Sequence, residues 1–190
     1  MTRPSNNFNM PSPAWTIFLL LAFIIIASGS RQVYNILVRG HAPFIFSRRR
    51  VLTAVINNLV LQSGEVFYEL GAGAAPLTRR LAKLYGDNKF VAVEYALLPY
   101  LLGRLLTLGR KNLTWRQADF YKIDLSAADY FYCFLNVGAM KLLEAKLLAE
   151  AKPAATVISY VFVLPHCQSV KTLSVGQEKI HFYQLNTLDN

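Results

Sequence analysis

Acidic residues are missing from the first 64 positions of this chain, although six arginines occur there. The first carboxylate is Glu65, and beyond it the basic side chains are nearly balanced by the 11 acidic ones. The net charge of +9 therefore belongs to the N-terminal part and its junction with the rest. This distribution of charge argues against nucleic acid as a partner of the main domain.

Cysteine is also scarce, with only Cys133 and Cys167 in 190 residues. The chain has no C-x-x-C pair and no histidine at ligand spacing from a cysteine. This pattern argues against a structural zinc site and for a reducing compartment. No metal site is predicted.

Charge is absent from residues 14–30 as well, and this stretch is mostly apolar. It is slightly short of the about 20 residues that a transmembrane helix needs, and Trp15 would suit an interface. We predict a disordered tail at 1–13 and a single-pass anchor at 14–30. A cleaved signal peptide and a buried helix of the domain are the alternatives.

The positive charge that follows residue 30 predicts a domain on the cytoplasmic side of the anchor. The expected location is the inner membrane of a bacterium, or the mitochondrial inner membrane in a eukaryote. Residues 31–62 are predicted to form a linker and a pre-domain helix over 48–61, capped by Ser47. The arginines at 48–50 can contact anionic lipid headgroups.

Residues 63–190 alternate between short apolar runs and helical patterns, which predicts an α/β, Rossmann-like domain with a mostly parallel sheet. A terminal antiparallel pair is expected around the turn at Gly176. The predicted strands are 66–70, 90–94, 113–117, 130–135, 155–163, 171–175 and 179–185, and the helices are 76–85, 97–108 and 139–151.

A glycine turn follows the first strand, in the order Gly71, Ala72 and Gly73, and a helix is predicted to begin at Pro76. Such a turn lets the backbone approach a ligand, and the helix N-terminus offers unpaired N–H groups. A dinucleotide fingerprint would need glycine in place of Pro76. A Walker loop would need G-K-S/T, which the sequence lacks.

Three acidic residues accompany this turn. Glu69 lies just before it, Glu94 ends the second strand where a carboxylate can bind ribose hydroxyls, and Asp119 with Phe120 follows the third strand. Together they resemble motifs I, II and III of the class I S-adenosylmethionine-dependent methyltransferases. The resemblance implies S-adenosyl-L-methionine as cofactor and a seven-stranded sheet with an antiparallel last strand. It assigns the cofactor to Glu69, Gly71, Ala72, Gly73, Glu94, Tyr95, Asp119 and Phe120.

Each acidic residue also has a purely structural interpretation. Glu69 can cap a helix or form a salt bridge, and Glu94 can place a favourable charge at the start of the next helix. Asp119 is of a type that is common in turns.

The methyl acceptor is indicated less directly, because the Asn/Asp-Pro-Pro-aromatic signature of amino-methylating enzymes is missing after the fourth strand. The membrane segment before Pro43-Phe44, the order Val93-Glu94-Tyr95 and the stretch 160–165 resemble the membrane-anchored FAM173-type protein lysine methyltransferases. Ala75 and His166-Cys167 depart from that family's pattern.

The FAM173-type resemblance implies a protein substrate and lysine N-methylation at the membrane. We look for the acceptor pocket at Phe44, Phe46, Asn136 and Tyr160, and no catalytic base is assigned. An RNA or small-molecule methyltransferase, and a catalytically degenerate cofactor-binding domain, are the competing hypotheses.

Overall fold

The computed structural model describes residues 13–39 and 48–185. The helices are α1 (Pro13–Arg39), α2 (Arg49–Asn57), α3 (Pro76–Leu84), α4 (Leu97–Leu105) and α5 (Val137–Glu150). The strands are β1 (Val66–Leu70), β2 (Lys89–Glu94), β3 (Leu113–Gln117), β4 (Tyr130–Cys133), β5 (Thr156–Tyr160), β6 (Lys171–Val175) and β7 (Glu178–Gln184). A short 3-10 helix spans Phe120–Lys122.

All seven strands form one sheet in the order β3-β2-β1-β4-β5-β7-β6. Strands β1 to β5 pair in parallel, whereas β7 runs antiparallel to both β5 and β6. This arrangement confirms the predicted Rossmann-like α/β fold with antiparallel C-terminal strands.

The core lies on both faces of the sheet, because neighbouring residues of a strand point to opposite sides. In β1, Phe67 packs with side chains of α2 and α3, whereas Tyr68 and Leu70 pack with α5. Fully burying a side chain of this size contributes about 1.5–3 kcal/mol. The two faces together fix where the ends of the central strands lie.

Several elements end earlier than the sequence predicted. Strand β5 ends at Tyr160 rather than at residue 163, because Val161 has a φ of 69° and turns the chain out of the sheet. Helix α4 ends at Leu105 and is followed by a turn. Helix α2 has Arg48 in the capping position without a side-chain cap bond, and Ser47 lies outside the described residues.

The arginines before and within α2 are partly engaged by the domain. Arg48 and Arg50 form ion pairs with Glu178 of β7, with N···O distances of 3.5 and 3.7 Å. Both arginine side chains remain about half exposed or more, so the pairs are weak by themselves. They reduce the charge available for the predicted contact with lipid headgroups.

Helix α1 contains the segment that was predicted to span a membrane. Across ranges 13–39 and 48–185, no helix is long and apolar enough for that. The apolar run from Ala14 to Ala27 extends about 21 Å at roughly 1.5 Å per residue, against about 30 Å of hydrocarbon. Residues 1–12 of the tail predicted at 1–13 lie outside the described residues, as do the pocket residues Phe44 and Phe46, whereas Pro13 begins α1.

Candidate functional site

The carboxyl ends of β1, β2 and β4 meet at one edge of the sheet, because these neighbours run parallel. Chain order reverses at β1, which has β2 on one side and β4 on the other. In open parallel sheets, ligands bind outside the carboxyl ends at such a reversal. The glycine turn follows β1 at this edge, where a cofactor is expected.

In the glycine turn after β1, every second residue from 71 to 75 adopts a left-handed backbone conformation. Gly71, Gly73 and Ala75 have φ angles of 69°, 58° and 47°. A side chain at 71 would also bring its Cβ to 3.0 Å from Leu135. Ala75 adopts the left-handed conformation despite its side chain, which costs roughly 1–2 kcal/mol, and it ends the turn at the first residue before α3.

Glu94 joins this turn to β2 and α4. Its carboxylate is 8% exposed and accepts the N–H groups of Gly73 at 2.8 Å and of Ala96 at 2.7 Å. The Ala72 N–H donates to the carbonyl of Val93 at 2.9 Å, which holds the turn against the same strand. The structure therefore brings a buried carboxylate and the glycine backbone together at the carboxyl edge of the sheet.

Glu69 contacts the first turn of α3. It is 3% exposed, and its carboxylate accepts the N–H of Thr78 in the first turn of α3 at 3.0 Å. The pKa of Glu69 is raised to about 7, mainly because the carboxyl is buried. Hydrogen bonds from Thr78 lower this pKa, and the nearby charge of Glu94 contributes to raising it. This is the helix-capping contact that the structural interpretation foresaw.

Asp119 and Phe120 are held within the domain. The Asp119 carboxylate accepts the Tyr121 N–H at 3.0 Å and caps the 3-10 helix. Phe120 is buried and its ring centroid lies 4.3 Å from that of Tyr121. The Tyr121 hydroxyl donates to the carbonyl of Ala139 at 3.0 Å, so this motif also links the end of β3 to α5.

The remaining predicted cofactor residue is Tyr95, which is half-buried and lies between Glu94 and α4. Of the predicted set, Ala72, Gly73 and Glu94 form one hydrogen-bonded group with β2.

Two of the residues predicted for the acceptor pocket, Asn136 and Tyr160, lie at the ends of β4 and β5. Asn136 caps α5, because its side-chain oxygen accepts the Ala139 N–H at 2.8 Å. Tyr160 is 2% exposed and donates its hydroxyl to Glu178 at 2.5 Å. Burial and this carboxylate raise the pKa of Tyr160 to about 12. Its hydroxyl therefore serves the fold, and its ring is part of the buried core.

Two aromatic residues of this region were missed from the sequence. The ring centroid of Phe134 lies 4.5 Å from that of Tyr160 and 6.2 Å from that of Phe162, with the two phenylalanine rings nearly parallel. Phe162 reaches this position through the turn at Val161, where the Phe162 N–H donates to the carbonyl of Tyr160 at 2.9 Å. The many aromatic residues in 131–134 and 160–162 were the sequence feature from which Phe134 and Phe162 could have been predicted.

The loop after β5 is fastened to α5 by a buried carboxylate. Glu144 accepts the N–H groups of His166 and Cys167, each at 2.8 Å, and contacts Nδ1 of His166 at 2.7 Å. Burial acts to raise the pKa of Glu144, but these donors outweigh it and hold the pKa below its usual range. The departure from the family pattern at His166-Cys167 thus has a structural role.

Residues 69–171 match the ANTKMT methyltransferase domain family. A protein-lysine N-methyltransferase of Saccharolobus islandicus (strain REY15A) is 25% identical over 126 residues, which cover 64% of this chain and 78% of that protein. The adenine nucleotide translocase lysine N-methyltransferase of Mus musculus is 25% identical over 177 residues, which cover 90% of this chain and 72% of that protein.

Among solved structures, an RNA methyltransferase from Salinibacter ruber in complex with S-adenosyl-L-homocysteine is similar, with a TM-score of 0.71. The alignment covers 75% of this chain and 94% of that chain at 18% identity, so it supports the fold alone.

Proposed function

The chain belongs to the ANTKMT methyltransferase domain family, and on that basis we propose that it is a protein-lysine N-methyltransferase that works at a membrane. It is an S-adenosylmethionine-dependent methyltransferase of class I. Lysine as acceptor is supported by the names of both relatives, which are lysine N-methyltransferases. The observation that carries the proposal is the family match over the cofactor turn and both halves of the central sheet.

The groups at the carboxyl edge fit the cofactor. A buried carboxylate at the end of β2 suits paired ribose hydroxyls, and a turn with positive φ angles lets backbone N–H groups approach a ligand. We propose that Glu94 binds the ribose, that Gly71 to Gly73 line the methionine side, and that Tyr95 and Phe120 border the base. Glu69 and Asp119 support α3 and the 3-10 helix around them.

When bound, S-adenosylmethionine would supply an electrophilic methyl group: the acceptor nitrogen would bond to the methyl carbon in line with the breaking C–S bond, and S-adenosylhomocysteine would leave. The contribution of the protein is alignment and the exclusion of water. A lysine ammonium must first lose its proton, and apolar surroundings favour the neutral amine. The rings of Phe134, Tyr160 and Phe162 provide such surroundings at the ends of β4 and β5, and Asn136 positions α5 beside them.

The membrane location is supported by the exposed apolar side chains of α1, which include Trp15, Phe18 and Ile26. For this part of the proposal, the measurement is flotation of the purified full chain with lipid vesicles. A chain that stays at the bottom of the gradient with every vesicle composition would refute the membrane location without affecting the proposed chemistry.

The acceptor class is tested with labelled S-adenosylmethionine, the full chain and a membrane extract that contains both protein and RNA. We expect label in protein, and methyl-lysine on mass spectrometry of the labelled bands. Label confined to RNA would contradict the proposal in favour of an RNA methyltransferase. Cofactor binding without transfer to any acceptor would favour a catalytically degenerate domain.

The placement of the cofactor is tested by Gly73→Arg, which fills the turn next to Glu94. Gly64→Arg is the matched control, since Gly64 also has a positive φ, of 87°, and a Cβ there meets nothing within 4 Å. Calorimetric titration should show cofactor binding lost in the first variant and kept in the second, with both folded by circular dichroism. Equal affinity in the two variants would place the cofactor elsewhere.

A further inference from the structure

The outward face of α4 and the turn after it is apolar, although this helix covers the sheet from outside. Its leucines are exposed at seven positions, which are Leu97, Leu98, Leu101, Leu102, Leu105, Leu106 and Leu108. A helix on the surface of a soluble domain normally turns a polar face outward. A contiguous patch of this kind marks an interaction site.

The orientation of α4 is fixed by its contact with β3. Gly103 lies against Trp115 so closely that a Cβ would be 1.9 Å from the indole. The Trp115 Nε1–H donates to Thr107 at 2.8 Å, and the Thr107 hydroxyl donates to the carbonyl of Gly103 at 2.9 Å. The small and polar residues therefore face inward, and the leucines cannot rotate into the core.

The charge around this face has one sign. Between Glu94 and Asp119 the chain contains no acidic residue, and it carries Arg104, Arg110, Lys111 and Arg116. Arg104, Lys111 and Arg116 are exposed and Arg110 is half-buried. Leucines bordered by cations are the pattern of a helix that lies in the interface of an anionic bilayer.

Other occupants fit this face less well. A second copy in a two-fold dimer would bring these cations towards one another, because the same patch is used on both subunits. Helix α1 does not cover the face, since its own apolar side chains, such as Phe18 and Ile26, are exposed.

We propose that α4 lies in the interfacial layer of an anionic membrane, with its outward leucines among the upper acyl chains and the neighbouring cations at the phosphates. This inference rests on the membrane location proposed above and adds a second contact, distinct from α1. Helix α4 begins three residues after Glu94, so the contact brings the cofactor edge of the sheet close to the bilayer. The accessible acceptors are then lysines of membrane proteins near the headgroups.

The test uses an environment-sensitive fluorophore on a cysteine that replaces Leu105 in the full chain. The matched control carries it in place of Leu142 on α5, because the two leucines are 64% and 62% exposed. Both variants carry Cys167→Ser, and Cys133 stays unlabelled because it is fully buried and burial raises its pKa to about 12. Unchanged cofactor affinity shows that the labelled chains are folded.

With vesicles of phosphatidylcholine and phosphatidylglycerol, we expect a blue shift of the emission at 105 and none at 142. Arg104→Gln and Lys111→Gln should each raise the lipid concentration needed for half of the shift by about five-fold. Water-like emission at 105 on a chain that floats with the vesicles overturns the α4 contact but leaves the membrane location intact. Absence of flotation overturns both.

Two further outcomes decide against the anionic bilayer. A shift at 105 that grows with protein concentration in the absence of vesicles would assign the leucine face to a second copy of the chain. An equal shift with phosphatidylcholine alone would remove the role of the cations. A shift confined to anionic vesicles, at 105 only, supports the proposal.

Discussion

A branched side chain crowds the backbone in the left-handed region, and Val161 occupies this region with a φ of 69°. The strain of such a residue is about 1–3 kcal/mol and is kept where the surroundings impose it. Here the turn ends β5, and it places the ring of Phe162 against that of Phe134 at the proposed acceptor pocket. The geometry at Val161 therefore links backbone strain to the proposed acceptor pocket.

Replacing Val161 with glycine should raise the free energy of unfolding by about 1 kcal/mol, since the relief of strain exceeds the added entropy of the unfolded chain. Methyl transfer should fall, because Phe162 is held less firmly. Urea unfolding and initial rates measure the two effects. The control is Val163→Gly in the same loop, which removes an exposed valine and should not stabilise the protein. Equal effects of both variants would show that Val161 is not strained.

Contact roles of single residues were only partly predictable from the sequence. Glu94 and Gly73 were expected at one cofactor site, because their motifs resemble those of class I methyltransferases, and the structure bonds the Gly73 N–H to Glu94. The contacts of Glu69 with Thr78 and of Asp119 with Tyr121 were not decided, since a carboxylate near a helix start can bind either a ligand or the helix itself. The sequence cannot separate these options, because both use the same acceptor at the same position.

At the scale of elements, α4 and α5 offer two glycines in contrasting environments. Gly103 leaves no room for a Cβ beside Trp115, whereas a Cβ at Gly138 would lie 3.6 Å from Asn136, an ordinary contact. Both are in helices, where alanine is intrinsically better by about 1 kcal/mol. The two substitutions therefore separate helix propensity from packing.

Gly103→Ala should lower the free energy of unfolding by about 1–3 kcal/mol, because the methyl group forces Trp115 and α4 apart. Gly138→Ala should leave it unchanged or raise it by up to about 1 kcal/mol. Thermal and urea unfolding of both variants provide the comparison, with tryptophan fluorescence reporting on Trp115. A Gly103→Ala variant as stable as Gly138→Ala would contradict the close packing of α4.

The periodicity of apolar residues predicted where these elements lie. It did not predict which face of α4 packs on the sheet or where β5 ends. The leucines of α4 predicted a helix, but only the fit of Gly103 to Trp115 decides which side faces the sheet. The apolar run after Thr156 extends beyond Tyr160, so the strand was predicted too long. A turn made by a valine leaves no trace in a hydrophobic pattern.

At the scale of the molecule, the buried carboxylates Glu69 and Glu144 make the free energy of unfolding depend on pH in opposite directions. The pKa of Glu69 is raised, so its contribution is fully present below about pH 4.5 and is lost as the pH rises through about 7. The pKa of Glu144 is lowered, so its contribution is present above its unfolded pKa and is lost as the pH falls. Between them, these two groups favour an optimum in mildly acidic solution.

Glu69→Gln keeps an acceptor for the Thr78 N–H and removes the ionisation. From pH 5 to 8, the free energy of unfolding of the unmodified chain should fall by up to about 3 kcal/mol more than that of the variant. Urea unfolding without cofactor measures the difference, in which contributions of all other groups cancel. Parallel pH profiles would show that the pKa of Glu69 is not raised.

Strand β7 is the last strand within residues 48–185, yet it lies between β5 and β6 and pairs with both. During synthesis the N-terminal part of the chain emerges first. Strand β5 therefore forms an unpaired edge of the sheet until residues 178–184 have been made. Strand β6 is made earlier but must wait for β7 before its backbone groups find their partners. An exposed parallel edge invites pairing with other chains. The order of the strands thus makes the synthesis of residues 178–184 the step that pairs both β5 and β6 and covers the open edge.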